Sequence, residues 1–433
     1  MAKVITTELQ HSGASGANIT LDSSKNVTCE NNLQVDGNLT VTGTIPADKL
    51  TGTAAAINGS NITNLPAANL TGALPAISGA TLTGVSSPAA GRRLNRNGAM
   101  QINQRGGQSP AHDASGRLAY EGFGGDGYYV QWASVDELDG TIDTVEDGPE
   151  GFTHSTKWTT GTAESAIATN EWAAFTCKID AFEVRDRLKW GTANAEPLTV
   201  SFWVKSSLTG TFYMSFYSPR TSGSRSLSQT YTISSANTWE KKTVTFIADT
   251  AGNEMPNTSS EQAIMWAFAS GSQFSSGGST SAWQDYAHAT WLGGNNRNDM
   301  ITTAGATFYI TGVQAEVGST ATDFEYLNYA KEMNWCNRYY IQYGPGGATK
   351  RMIFEGYVGH TSYSHCQTIT FPTEMRIAPA ITKAGSWSED NVASLNFDWK
   401  SSKHADCRVI ASSAGNVYSH TDSDSSLQFS AEL

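Results

Sequence analysis

The sequence predicts an all-β protein, an intertwined fibrous stalk followed by two antiparallel β modules, and three observations carry that prediction. The aromatic residues, 12 Trp, 16 Tyr and 16 Phe, all lie from Tyr120 onward, so the first 119 residues have no rings to pack. From Thr51 to Ala90 there is neither a charge nor an aromatic, only small and polar residues with single aliphatics at intervals. Beyond Tyr120, apolar residues alternate with polar ones at period two, and turn residues separate the runs. At 433 residues the chain is also longer than one hydrophobic core usually serves.

The stalk comes first. LQVDGNLTVTG (33 to 43) sets Leu33 and Val35 before Asp36-Gly37 and Leu39 and Val41 after it, alternation around a favoured hairpin dipeptide. Leu-Thr-Gly recurs at 50, 70 and 82, and Asn-aliphatic-Thr at Asn18, Asn26, Asn38, Asn61 and Asn69. Repetition of this kind marks a fibrous element. Short hairpins are marginal alone, so several copies wound together would bury the stripe of Ile57, Ile62, Leu65, Leu70, Leu74, Ile77 and Leu82. A disordered linker is the alternative, but a solvated linker has no use for regularly placed aliphatics.

The body follows. In PLTVSFWVKSS, Leu198, Val200, Phe202 and Val204 alternate with Thr199, Ser201, Trp203 and Lys205, the pattern of a half-buried strand. Val244, Phe246 and Ala248 repeat it. In ATFYITGVQAEVG the phase changes: Phe308 and Ile310 share one parity, Val313, Ala315 and Val317 the other, and a bulge at Gly312 would reconcile them. The best helix candidate is at about 328 to 336, after which strands resume and run to Leu433.

Several stretches resemble the tail fibres of tailed bacteriophages. ITNLPAANLTGALPAISGATLTG (62 to 84) and LQVDGNLTVTG look like their shafts, GAMQINQRGG (98 to 107) like the entry to a jelly-roll module, and ITGVQAEVGSTATDFEYLNYAKEMNWCNRYY (310 to 340) like its exit. FPTEMRIAPAIT (371 to 382) is similar to fibre tips. The resemblance implies a virion-attachment segment at 1–45, a repeat stalk at 46–91, a jelly-roll β-sandwich at 92–328, a connecting helix at 329–337 and a smaller C-terminal β-sandwich tip at 338–433. Together with the stalk argument it implies a homotrimer, made in the host cytoplasm. The N-terminus would be held by a phage baseplate or tail protein, and the distal modules would contact a host surface glycan. A polysaccharide depolymerase of the tailspike kind, or a structural baseplate spacer, is the rival reading.

Charge narrows the partners. Residues 1 to 119 carry 8 basic and 6 acidic side chains, the remainder 20 and 34, so the body stands at −14. Nucleic-acid binding draws on clustered Lys and Arg and is not expected. No apolar run approaches the roughly 20 residues that span a bilayer, and the start MAKVITTELQHSG lacks the apolar core of a signal peptide. Five scattered cysteines read as free thiols. The basic cluster Arg92, Arg93, Arg96 and Arg105 is expected to pair with the acidic body where stalk becomes head.

Catalytic and cofactor motifs are absent: there is no phosphate-cradling loop and no Gly-x-Ser-x-Gly elbow, so the chain is read as a binder rather than an enzyme, with no cofactor. The carboxylates Asp136, Glu137, Asp139, Asp143, Glu146 and Asp147 read as a solvated loop. His360, His365, Cys366, His404 and Cys407 match no zinc spacing, and no metal is expected. Neutral sugars are recognised by rings that pack on a pyranose face with polar neighbours for the hydroxyls. Trp283, Tyr286 and Trp291 among Ser, Gly, Asn and Gln, and Tyr363 and Trp387 in the tip, are the candidates, with core or intersubunit packing as the plain alternative for each.

Overall fold

The computed structural model describes residues 8–9, 19–21, 27–29, 91–106, 120–133, 139–251, 255, 261–275, 281–287, 289, 291–293, 300–344, 351–361, 364–422 and 424–432. The chain divides into two compact units, Met1–Val85 and Ser86–Leu433. In the first, β1 (Glu8–Leu9), β2 (Ile19–Leu21) and β3 (Val27–Cys29) pair antiparallel in that order. The expected hairpin at Asp36-Gly37 and the aliphatic stripe from Ile57 to Leu82 lie outside the described residues.

The second unit is all-β and holds two sandwiches. The larger comprises β4 (Tyr120–Gly125), β5 (Tyr128–Ala133), β6 (Gly140–Val145), β7 (Ser155–Thr160), β8 (Trp172–Asp180), β9 (Leu198–Ser206), β10 (Gly210–Pro219), β11 (Ser224–Ile233), β12 (Glu240–Phe246), β13 (Glu261–Ser270), β14 (Gln284–Asp285) and β15 (Thr307–Val317). Its strands form a seven-stranded sheet ordered β14-β11-β10-β13-β8-β5-β4 and a five-stranded sheet ordered β12-β9-β15-β7-β6. Neighbours within both sheets are antiparallel.

Alternation builds the core between them. Leu198, Val200, Phe202 and Val204 of β9 are fully buried, as their spacing predicts, and Phe175, Cys177 and Ile179 of β8 and Phe212, Met214 and Phe216 of β10 join them. In β15 the register with β9 shifts between Thr311 and Gln314, and Gly312 sits there at φ +60. The bulge lets Phe308, Ile310, Val313 and Ala315 all face the core.

A helix at Tyr329–Asn337 follows, capped by the Asn328 side chain, which accepts from the Ala330 amide. The smaller sandwich comprises β16 (Tyr340–Tyr343), β17 (Arg351–Val358), β18 (Ser364–Thr370), β19 (Ala380–Ala384), β20 (Trp387–Asp390), β21 (Val392–Asn396), β22 (His404–Ala411), β23 (Gly415–Thr421) and β24 (Ser426–Ser430). They pair as three three-stranded sheets, β16-β24-β19, β17-β23-β20 and β18-β22-β21, around a core that includes Phe354, Val358, Cys407, Val409, Val417, Leu427 and Phe429.

The arginine cluster locks this unit together. Arg93 pairs with Glu332 of the helix, and Arg96 with Glu432 next to the last residue. Arg105 reaches Glu432 at 3.1 Å and Asp126 at 3.9 Å, while Arg92 donates to Thr322 Oγ1 at 2.9 Å. The guanidinium of Arg96 lies 3.8 Å from the Tyr339 ring centroid and that of Arg105 3.4 Å from Tyr340. Two segments distant in sequence, the entry to the larger sandwich and the end of the smaller, therefore share one buried charge network.

Candidate functional site

The seven-stranded sheet has a second face, and alternation decides what it carries. Where Ala173 and Phe175 of β8 point to the core, Trp172 and Ala174 point away; Ala263 and Met265 of β13 and Tyr217 of β10 share their side. Residues 271–275 and 291–293 fold over this surface. The Leu292 amide donates to the Phe274 carbonyl at 3.0 Å, and the Gly271 amide to Glu171 at 2.7 Å. Gly271 allows the approach, because a Cβ there would stand 2.0 Å from the Ala168 carbonyl oxygen.

The result is a small aromatic corner. The Trp291 ring meets Trp172 at 4.6 Å, Tyr217 and Phe274 each at 5.8 Å, and Tyr286 at 5.9 Å and near right angles. Trp291 and Tyr286 are both half-buried. The Trp291 indole N–H is shielded from solvent and has no hydrogen-bond partner among the described residues. The Tyr286 amide donates to the Ser224 carbonyl at 2.8 Å, which fixes the ring beside Tyr217 at 5.0 Å. Burial, with Tyr217 adding to it, pushes the Tyr286 phenol above its ordinary range, so this hydroxyl stays protonated at neutral pH.

Charged groups frame the corner. Edge strand β14 pairs with β11 so that Asp285 lies opposite Arg225, and the two side chains meet at 2.7 Å. Arg225 also binds both oxygens of buried Asp249, at 3.1 and 3.0 Å, and Arg220 joins the same carboxylate at 2.7 Å. Burial lowers Arg220 to about 10, against the pull of Asp249. These pairs hold the edge that carries Tyr286.

The five rings singled out in the sequence do not form one site. Tyr286 and Trp291 touch. Trp283 requires a correction: it is only 9% exposed, packs edge-on against Trp190 at 4.7 Å and Phe216 at 6.0 Å, and donates its indole N–H to the Ile247 carbonyl at 2.7 Å. With its ring enclosed and its donor spent, it belongs to the core and offers no stacking face. Trp387 lies in the other sandwich, half-buried against that core, its N–H donated to the Ala384 carbonyl at 3.0 Å and its ring 4.8 Å from the Lys383 ammonium. Tyr363 lies outside the described residues.

Composition missed Trp172, Phe274 and Tyr217, which complete the corner, because they come from other segments. The available signal was parity: Tyr217 follows core-facing Phe216 and so must face outward. In the smaller sandwich, Tyr357, Trp399 and Tyr418 are exposed at 63%, 59% and 37%.

The other constellations separate. Cys366 lies opposite Arg408 and is exposed, whereas Cys407 is buried in the core, so the two thiols sit on opposite faces of the β18–β22 pair. Among the described residues no three His, Cys, Asp or Glu side chains gather to hold a metal ion. Asp139 accepts from the Thr162 amide, Asp143 from Asn103 and Thr144, and Asp147 from Lys205 and Trp239. Asp136 and Glu137 lie outside the described residues.

No protein-family model matches the chain, and no curated protein matches it. Among solved structures it is similar to the enzymatically active domain of tailspike protein 4 of bacteriophage CBA120, at 13% identity and TM-score 0.27, over 52% of this chain and 21% of that one. It is also similar to a CBM4 module, at 13% identity and TM-score 0.26, over 51% and 97% of the two chains. The CBM22-2 xylan-binding domain from Paenibacillus barcinonensis Xyn10C resembles it at 12% identity and TM-score 0.26, over 52% and 97%. At such values the likeness carries nothing about this chain's ligand or activity.

Proposed function

We propose that this chain is a trimeric virion tail fibre: its first segment is held by the tail, and its head binds a largely neutral glycan on the host cell. The observation that carries the binding is the corner at Tyr286 and Trp291. Two half-exposed rings lie at right angles, one with an indole N–H that has no partner among the described residues, beside a clamped edge that presents Asp285. Rings supply apolar area for a sugar face, and the exposed Asp285 carboxylate serves its hydroxyls. The body's charge of −14 disfavours acidic polymers. Single contacts of this kind are weak, and three heads per fibre acting together make attachment firm.

The experiment is adsorption of the purified full chain to host cells and to immobilised neutral polysaccharide, for the native protein and for Tyr286→Ala and Trp291→Phe. Both variants are expected to bind less at the native mass, Trp291→Phe because it keeps a ring but a smaller one, and Tyr286→Ala with a thermal midpoint lowered by no more than the few degrees that about 1 kcal/mol represents. Undiminished binding by both would remove the corner as the contact. Reducing ends assayed in the same incubations separate a binder from a depolymerase, the binder releasing none.

A further inference from the structure

The smaller sandwich carries an exposed face of its own. In the sheet β17-β23-β20, Phe354, Val358 and Val417 enter the core. Alternation therefore places Glu355 and Tyr357 of β17, Asn416, Tyr418 and His420 of β23, and Ser388 and Asp390 of β20 on the opposite side. The register sets Glu355, Tyr418 and Asp390 in one row across the three strands, His420 beside Ser388, and Tyr357 beside Asn416. Tyr357 and Tyr418 are thus diagonal neighbours, about 7 to 8 Å apart.

Three features set this face apart from an ordinary solvated sheet. Tyr357 is 63% exposed and Tyr418 37%, large rings left in water. Glu355 and Asp390 are exposed, and neither has an ion-pair or hydrogen-bond partner among the described residues. His420 is only 9% exposed, yet its Nδ1 has no partner among the described residues, and its ring lies parallel to Tyr418 at 5.3 Å and 2°. Buried ring nitrogens are normally satisfied, so one left open beside the exposed Tyr418 ring points to a ligand that completes it.

We propose that this face binds a neutral, hydroxyl-bearing saccharide, with Tyr357 and Tyr418 as the stacking rings, Glu355 and Asp390 as acceptors for sugar hydroxyls, and His420 as the third polar contact. Charge selects the occupant: the face presents two carboxylates and, among its described residues, no Lys or Arg. A uronate, sulfate or phosphate is repelled, while hydroxyl groups bring the donors that carboxylates lack. The proposal rests on the glycan-binding reading above and assigns a second contact to the smaller sandwich.

The test uses the full chain on immobilised neutral and acidic oligosaccharides. Tyr357→Ala, Tyr418→Ala and the double variant Glu355→Gln with Asp390→Asn are compared with the native protein and with Tyr286→Ala. Each tip variant is expected to weaken neutral-sugar binding about tenfold, the loss of one good contact, at unchanged thermal midpoint. The double carboxamide variant keeps the shape of the face should either alanine variant fold poorly. Native-like binding by the tip variants overturns this site, and if Tyr286→Ala alone loses binding the broader reading survives. A native protein that binds no neutral oligosaccharide, or only acidic ones, overturns both.

Discussion

Glu432 shows how much one side chain can hold. It is largely buried between Arg96 and Arg105, and the backbone carbonyls of Ala431 and of Glu432 itself accept from Arg376 at 2.9 and 2.7 Å. Burial by itself would raise its pKa, but Arg96 and then Arg105 hold it below the ordinary glutamate range. A depressed carboxylate contributes stability above its unfolded value, and that contribution is lost as pH falls through the folded value. Asp126, raised by burial despite Arg105, acts in the opposite sense and favours the fold once protonated. Glu432→Gln leaves the buried Arg96 guanidinium uncompensated and takes from Arg105 the nearer of its two carboxylates, and it is expected to cost about 3–5 kcal/mol at neutral pH, with a smaller difference from native in acid; urea unfolding at both pH values measures it. Trp283 offers a second contrast. Trp283→Ala should lose about 3–5 kcal/mol as a core cavity, whereas Tyr286→Ala, at a half-exposed position, should lose about 1 kcal/mol. Equal losses would place both rings in the core.

Strand β15 is where one residue shapes an element. Gly312 takes φ +60, and a Cβ there would stand 2.7 Å from Phe152 Cζ and 3.0 Å from Trp203 Cδ1. Gly305 also has a positive φ, +75, but open space around it. Gly305→Ala should therefore cost about 1 kcal/mol from backbone strain alone. Gly312→Ala adds about 1–3 kcal/mol of overpacking. Midpoints in urea compare the two, and equal costs would show that Phe152 and Trp203 yield freely. The bulge was legible because apolar residues that change parity across a glycine can share one face only if the strand gains an extra residue there. The corner around Trp291 was not: its rings come from β8, β10, the 271–275 turn and the 291–293 loop, and no period links them.

For the whole chain, the proposed fibre would bury its shaft aliphatics between copies, so light scattering should return three times the 46.3 kDa chain mass. A monomer whose segment 51 to 90 resists protease would remove the intertwined stalk. Deleting residues 1 to 40 should abolish incorporation into particles and leave trimer binding to cells intact, and the reverse result would invert the polarity of the fibre. The buried network of Arg93, Arg96, Arg105, Glu332 and Glu432 ties the two sandwiches, so they should unfold as one transition in the native protein.

Features that depend on local pattern could be read along the chain: an all-β body, the strand faces of β9, the bulge at Gly312 and a helix at about 328 to 336. Alternation and turn residues act within a few positions, so nothing distant is needed to recognise them. The arginine cluster was likewise expected to meet acidic residues, although its pairing with Glu432, more than 300 positions away, has no local signal. Which rings are exposed was settled by tertiary packing alone. Trp283 and Tyr286 stand three residues apart in similar Ser-, Gly- and Gln-rich surroundings, yet one is enclosed by Trp190 and Phe216 and the other is left half in solvent. Burial of a ring is set by what packs against it from distant strands, and composition carries no record of that.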